Sequence, residues 1–110
     1  MRMENRRFMR IIVMFDLPTK TKANRRAAAR FRIDLLNSGF VMMQFSVYYR
    51  LVNGTDMARK YEQRVADFVP IAGQVRMLTL TEKQFSSMQI MVGTVSRQEK
   101  EISNSDLTVL

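Results

Sequence analysis

Apolar residues along the chain fall into runs whose spacing changes, and each change marks an element. From Arg10 to Leu17, the residues Ile11, Ile12, Val13, Met14 and Phe15 form a continuous apolar run with β-branched side chains. Closed by Asp16-Leu17-Pro18, it predicts a strand ended by the proline. Thr19 or Thr21 then caps a helix reaching about Asn37, with Ala23, Ala27, Phe31 and Leu35 at four-residue spacing and Gly39 as its stop. From Val41 to Leu51 the period becomes two. Val41, Met43, Phe45, Val47, Tyr49 and Leu51 alternate with Met42, Gln44, Ser46, Tyr48 and Arg50, which predicts one long strand. Asn53-Gly54 marks a turn, and Asn53 or Thr55 caps a second helix that carries Met57, Tyr61, Val65 and Phe68 on one face until Pro70. A third strand follows from Gln74 to Thr81, then a short helical turn from Glu82 to Ser87 with Thr81 as its cap. Met88 to Val92 predicts a fourth strand, stopped by Gly93. The chain is polar from Thr94 to Asp106, and Leu107, Val109 and Leu110 resume an alternating pattern.

The expected architecture is α+β, a ferredoxin-like βαββαβ arrangement in which two helices cover one face of a four-stranded antiparallel sheet. Residues 1–93 would form this domain and residues 94–110 a C-terminal tail whose extra strand packs on a partner. The opposite sheet face needs cover as well. The first and third strands are apolar at both parities, with Ile11, Val13 and Phe15 against Ile12 and Met14, and Val75 and Met77 against Leu78 and Leu80. A sheet-to-sheet homodimer is the simplest cover for such a patch. Methionines such as Met14, Met42, Met77, Met88 and Met91 suit adaptable packing there.

Length and composition narrow the chemistry. At 110 residues, a single domain is expected. With 46% hydrophobic and 25% charged residues, the chain has enough apolar surface to fold. The sequence has no Cys and no His, which removes disulfides, thiolate zinc sites, Ser-His and Cys-His nucleophile pairs and imidazole acid/base catalysis. What remains is carboxylates, hydroxyls, Lys, Arg or a hard metal ion. The longest early apolar run, Ile11 to Phe15, is far below the roughly 20 residues a bilayer span needs, so a cytoplasmic protein with no membrane partner is expected.

The formal charge of +8 is one-sided. Residues 1–34 hold ten Lys/Arg against Glu4, Asp16 and Asp34, a net of +7, and the rest of the chain is nearly neutral. Such a field favours a polyanion. The first helix carries Lys20, Lys22, Arg25, Arg26, Arg30 and Arg32 with no acid before Asp34. Lys22, Arg26 and Arg30 are four apart and share a face, and the segment from Lys20 to Arg26 places cations where the helix dipole already attracts phosphate. Asp16 is the acid placed where a strand meets a loop. It suits one-carboxylate binding of Mg²⁺, doubled by a two-fold axis, while position alone favours an Asx turn or a helix-start residue before Pro18. Arg97 and Lys100 lie in the polar segment and are either phosphate contacts or solvated side chains.

Three phrases in combination, Met14-Phe15-Asp16-Leu17-Pro18, Met43-Gln44-Phe45-Ser46-Val47-Tyr48 and Leu80-Thr81-Glu82-Lys83-Gln84-Phe85, resemble the CRISPR-associated protein two family, type II subgroup. The resemblance runs from about Arg10 to Val92. It implies a ferredoxin-like homodimer that bridges dimers of the CRISPR integrase subunit and holds double-stranded prespacer DNA for integration into the array. It also implies that Asp16 matches the metal-binding aspartate of a family classed as Mg²⁺-dependent endonucleases. With one candidate carboxylate per chain, the residues favour the scaffold, with Lys20, Lys22, Arg25, Arg26, Arg30 and Arg97 on DNA. The alternative is a Mg²⁺-dependent endonuclease that cleaves RNA or DNA through paired Asp16 carboxylates. A single-strand RNA-binding module on the same fold ranks last, because Val75 to Thr79 offers no aromatic for base stacking.

Overall fold

The computed structural model describes residues 7–93. Strand β1 spans Phe8–Asp16, helix α1 Lys22–Asn37, β2 Val41–Gln44, β3 Val47–Asn53, helix α2 Thr55–Phe68, β4 Gln74–Thr81 and the short helix α3 Glu82–Ser86. The strands form one antiparallel sheet in the order β2-β3-β1-β4. This is the expected ferredoxin-like α+β fold, but two of its strands are not the ones the periodicity predicts.

The segment Val41 to Leu51 is a hairpin rather than one strand. Phe45 and Ser46 form the turn, Ser46 takes a left-handed φ of 65°, and the register shifts between Met42 and Gln44. No Gly, Pro or Asn marks the turn, so the alternation reads straight through it. The fourth strand of the sheet therefore comes from this hairpin. Met88 to Val92 forms no strand: Met88 closes α3 through a bond from its N–H to the Phe85 carbonyl, and Ile90, Met91 and Val92 are 78%, 84% and 81% exposed. An apolar run becomes a strand only where a ladder partner exists. The expected terminal strand at Leu107 to Leu110, and the tail of residues 94–110 as a whole, lie outside the described residues.

The core lies between the helices and one face of the sheet. Ile11, Val13 and Phe15 of β1, Tyr48 and Val52 of β3, Phe31 and Leu35 of α1, Phe40, and Ala58 and Val65 of α2 are buried in one cluster. Removing each large side chain of this set from water contributes about 1.5–3 kcal/mol. Phe31 sits at the centre, its ring 5.0 Å from that of Phe15 and 5.7 Å from that of Phe68. The stripe of α1 that faces inward is Ala28, Phe31 and Leu35, while Ala23 and Ala27 are exposed. Steps of four residues drift by about 40° per step, so the expected stripe rotates out of the core towards its N-terminal end. In α2, Val65 is buried and Met57, Tyr61 and Phe68 pack partly buried beside it, as expected. Its N-cap is Gly54 with φ 97° and no side-chain cap, in place of Asn53 or Thr55.

The other face of the sheet carries a cross-strand row of Val41, Tyr49, Ile12 and Leu78, flanked by Leu51, Arg10 and Leu80 on one side and Val47, Met14 and Arg76 on the other. Helix α3 reaches one end of this face through Phe85, whose ring lies tilted against that of Tyr49 with centroids 5.4 Å apart. Ile12 is buried at the centre of the face, but Val41, Leu51 and Leu78 stay 48%, 43% and 49% exposed. Among the described residues, no helix is long and apolar enough to cross a membrane.

Candidate nucleic-acid interface and carboxylate site

Asp16 is the last residue of β1 and pairs in register with Gln74 of β4. Strand alternation places its side chain on the uncovered face with Met14, and the same parity brings Gln74 and Arg76 beside it. Together with Phe15 they line an open depression of about 230 Å³. Gly73, with φ +100°, lets the loop before β4 press against this strand end, since a Cβ there would lie 2.8 Å from the Asp16 carbonyl oxygen. The carboxylate is exposed and forms no ion pair among the described residues. Also among those residues, no group of three or more acidic, His or Cys side chains gathers to hold a metal. A single hard oxygen donor with open space around it fits Mg²⁺, which keeps several waters and takes one or two carboxylates. Arg76 adds a guanidinium suited to a phosphate oxygen, a neighbour that only the β1–β4 register reveals.

The first helix begins at the same end of the domain. Five residues, Leu17 to Thr21, separate Asp16 from Lys22, so the two α-carbons lie within about 22 Å. Thr21 is the N-cap, its side chain accepting from the Asn24 N–H at 3.0 Å, and no acid occupies the first turn. That leaves the positive end of the helix open to an anion.

The cations expected to line this helix do not all behave alike. Lys20, Lys22 and Arg26 are exposed and unpaired among the described residues. Arg25 uses Nη1 to donate to the carbonyls of Thr19 and Lys20 at 3.0 and 3.2 Å, which ties it to the loop while leaving its other donors free. Arg30 lies 3.4 Å from Asp34 one turn on, so its charge is partly offset. Arg32 is half-buried over the rings of Phe15 and Phe45. Ile33 and Leu36, 47% and 54% exposed, interrupt the basic face towards its C-terminal end. The cationic surface of α1 is thus concentrated in its first two turns. Arg97 lies outside the described residues.

Elsewhere Arg10 is neutralised by Glu82, which removes it from the basic field that the sequence suggests. A further set of cations, Arg50, Lys60 and Arg64, gathers around the ring of Tyr61. It joins β3 to α2, and nothing in the spacing of these residues announces it.

A ferredoxin-like domain with an acid-free basic helix start and an exposed carboxylate at the adjacent strand end carries a field suited to a polyanion. Comparison with known sequences gives its family. The sequence model of the family described as CRISPR associated protein Cas2 matches residues 9–88, and the chain belongs to that family. It is 50% identical over 101 residues to a protein of Acidovorax ebreus (strain TPSY), covering 92% of this chain and 99% of that relative. It is 45% identical over 103 residues to one of Lacticaseibacillus rhamnosus, covering 93% and 99%. With a relative from Campylobacter jejuni it shares 40% over 103 residues, covering 94% and 72%. All three relatives carry the name CRISPR-associated endoribonuclease Cas2.

Proposed function

We propose that this protein is a divalent-cation-dependent endoribonuclease of a CRISPR system, acting as a homodimer in which two copies of Asp16 share one site. The observation that carries the reading is the exposed, unpaired Asp16 carboxylate at the end of β1 in a chain 50% identical to a protein named as an endoribonuclease. The apolar row of Val41, Tyr49, Ile12 and Leu78, exposed at its Val41 and Leu78 ends, supports the dimer, because Asp16 lies on that same face and sheet-to-sheet pairing would draw the two carboxylates towards one axis.

When bound, Mg²⁺ would neutralise phosphoryl charge and make water more acidic. The protein's own part is to hold and orient. Asp16 supplies the anionic oxygens, Arg76 meets a phosphate oxygen, and Gly73 keeps the β4 loop close behind the Asp16 backbone. Lys22 and Arg26 keep the polyanion near the strand end. The test is cleavage of end-labelled single-stranded RNA with Mg²⁺ or with chelator. Asp16→Asn should remove the Mg²⁺-dependent activity while the dimer and RNA retention persist; undiminished cleavage by Asp16→Asn overturns the reading.

A second reading is favoured by a separate observation, the unpaired Lys20, Lys22 and Arg26 at an acid-free helix start. In it the dimer is an adaptor that binds the backbone of double-stranded prespacer DNA and bridges dimers of the CRISPR integrase during spacer acquisition, with no need for Asp16. Co-purification of Asp16→Asn with the cognate integrase and a short duplex, at wild-type yield, would support it. Failure of the wild-type protein to join integrase and duplex would count against it.

A further inference from the structure

Tyr61 lies half-buried on α2, and three cations converge on its ring. The guanidinium carbon of Arg50 is 3.9 Å from the ring centroid, that of Arg64 4.9 Å, and the Lys60 ammonium 5.6 Å. None of the three forms an ion pair among the described residues. Of the acids on α2, Glu62 accepts from the Thr79 hydroxyl and Asp67 from the Gln63 amide, while Asp56, one turn before Lys60, forms no ion pair with it. The ring quadrupole offsets only part of the mutual repulsion.

Arg50 has a structural task. The last turn of α1 contains no cation, and Arg50 Nη1 approaches the Gly39 carbonyl at 3.4 Å just beyond it. Its Nε is buried with no partner, so Arg50 is held in place by packing against Tyr61. Lys60 and Arg64 have no such task. They are exposed, one helical turn apart, and like charges at that spacing weaken a helix. A dense positive spot kept at a cost to the helix is a spot suited to an anion. Because guanidinium groups already occupy the ring, it is not a platform for base stacking, and the matching chemistry is a phosphate group.

We propose that Lys60 and Arg64, organised by Tyr61 and Arg50, bind the backbone phosphates of a nucleic acid as a second contact separate from α1. The inference rests on the nucleic-acid reading above and is independent of Asp16 chemistry. Helices α1 and α2 cover the same sheet face, and in this proposal a strand or duplex lying across them would meet Lys22 and Arg26 on one helix and Lys60 and Arg64 on the other. The contact reads charge, not sequence.

The experiment is fluorescence anisotropy of the full chain with labelled duplex DNA and, separately, single-stranded RNA, in chelator so that no cleavage intervenes, across a range of NaCl. Lys60→Gln with Arg64→Gln should make the slope of log affinity against log salt shallower by about one to two units. It should also leave the melting temperature unchanged or raised, since a repulsive pair is removed. The charge-preserving swap Lys60→Arg with Arg64→Lys should keep the wild-type slope. An effect on one nucleic acid alone identifies it as the ligand. A slope unmoved by neutralisation, while Lys22→Glu with Arg26→Glu does move it, overturns this inference and leaves the nucleic-acid reading standing. A wild-type protein that binds neither probe at low salt overturns both.

Discussion

The Arg10 guanidinium and the Glu82 carboxylate meet side by side, Nε to Oε1 at 2.7 Å and Nη2 to Oε2 at 2.9 Å, across 72 positions of sequence. The same guanidinium lies 4.4 Å from the Phe85 ring centroid and 5.1 Å from that of Tyr49. Through this cluster the short helix α3 is fixed onto the sheet face that the other helices leave open. Glu82 holds the Arg10 pKa above its ordinary value, chiefly by the hydrogen bond.

Glu82→Gln should therefore lower stability by about 1–2 kcal/mol, since it leaves a mostly covered guanidinium without its counter-charge. Arg10→Met should cost less, because the carboxylate it leaves unpaired is the more exposed partner, with 33% of its side-chain surface accessible against 18% for Arg10. Urea unfolding checks both as a shift in midpoint at unchanged slope. A raised Arg pKa contributes stability that is complete below the ordinary Arg value and is lost only as pH climbs through the raised one. The Arg10 contribution should thus be constant through the neutral range and vanish only in strong alkali.

Gly73→Ala should destabilise by about 2–3 kcal/mol, combining a strained positive φ with a clash that backbone atoms cannot relieve. Gly54→Ala, also at positive φ but facing open space, should cost about 1 kcal/mol. Thermal melts of the two variants measure the difference. On the shared-carboxylate reading, Gly73→Ala should also weaken Mg²⁺-dependent activity, since the clash is with the Asp16 and Leu17 backbone.

Phe31→Ala should cost about 3–5 kcal/mol, because the ring joins β1 to both long helices and is 1% exposed. That is a large share of a small domain's total stability, and circular dichroism should show a much lower melting temperature.

On the duplex-binding reading, charge reversal at Lys22 and Arg26 should reduce affinity for duplex far more than Arg30→Gln does, since Arg30 already faces Asp34. A filter-binding titration at low salt would show roughly a tenfold or larger loss for the former and less than threefold for the latter.

On the homodimer reading, Leu78→Glu, which places a charge at the exposed β4 end of the apolar row, should leave a folded monomer, read by sedimentation. On the shared-carboxylate reading, RNA cleavage should fall with dimerisation even though Asp16 is intact.

By itself, the sequence determined the local structure wherever one residue's neighbours decide it. Thr21 caps α1 because a hydroxyl can reach the Asn24 N–H three residues on, and Pro18, Pro70 and the Gln74–Thr81 run bound their elements for equally local reasons. It also placed Asp16 at a strand end and the net positive charge in the first third of the chain. The division of Val41 to Leu51 into two strands was left to tertiary structure, because period two survives a two-residue turn and only pairing with β1 reveals the break. Pairing and proximity likewise decided which cations stay free. Arg10 is cancelled by a residue 72 positions away, Arg76 comes to Asp16 through strand register, and Arg50, Lys60 and Arg64 meet at Tyr61 through helix-on-sheet packing. Charge along a sequence is a sum over positions, whereas the field a ligand meets is set by distances in space, and those distances exist only once the chain has folded.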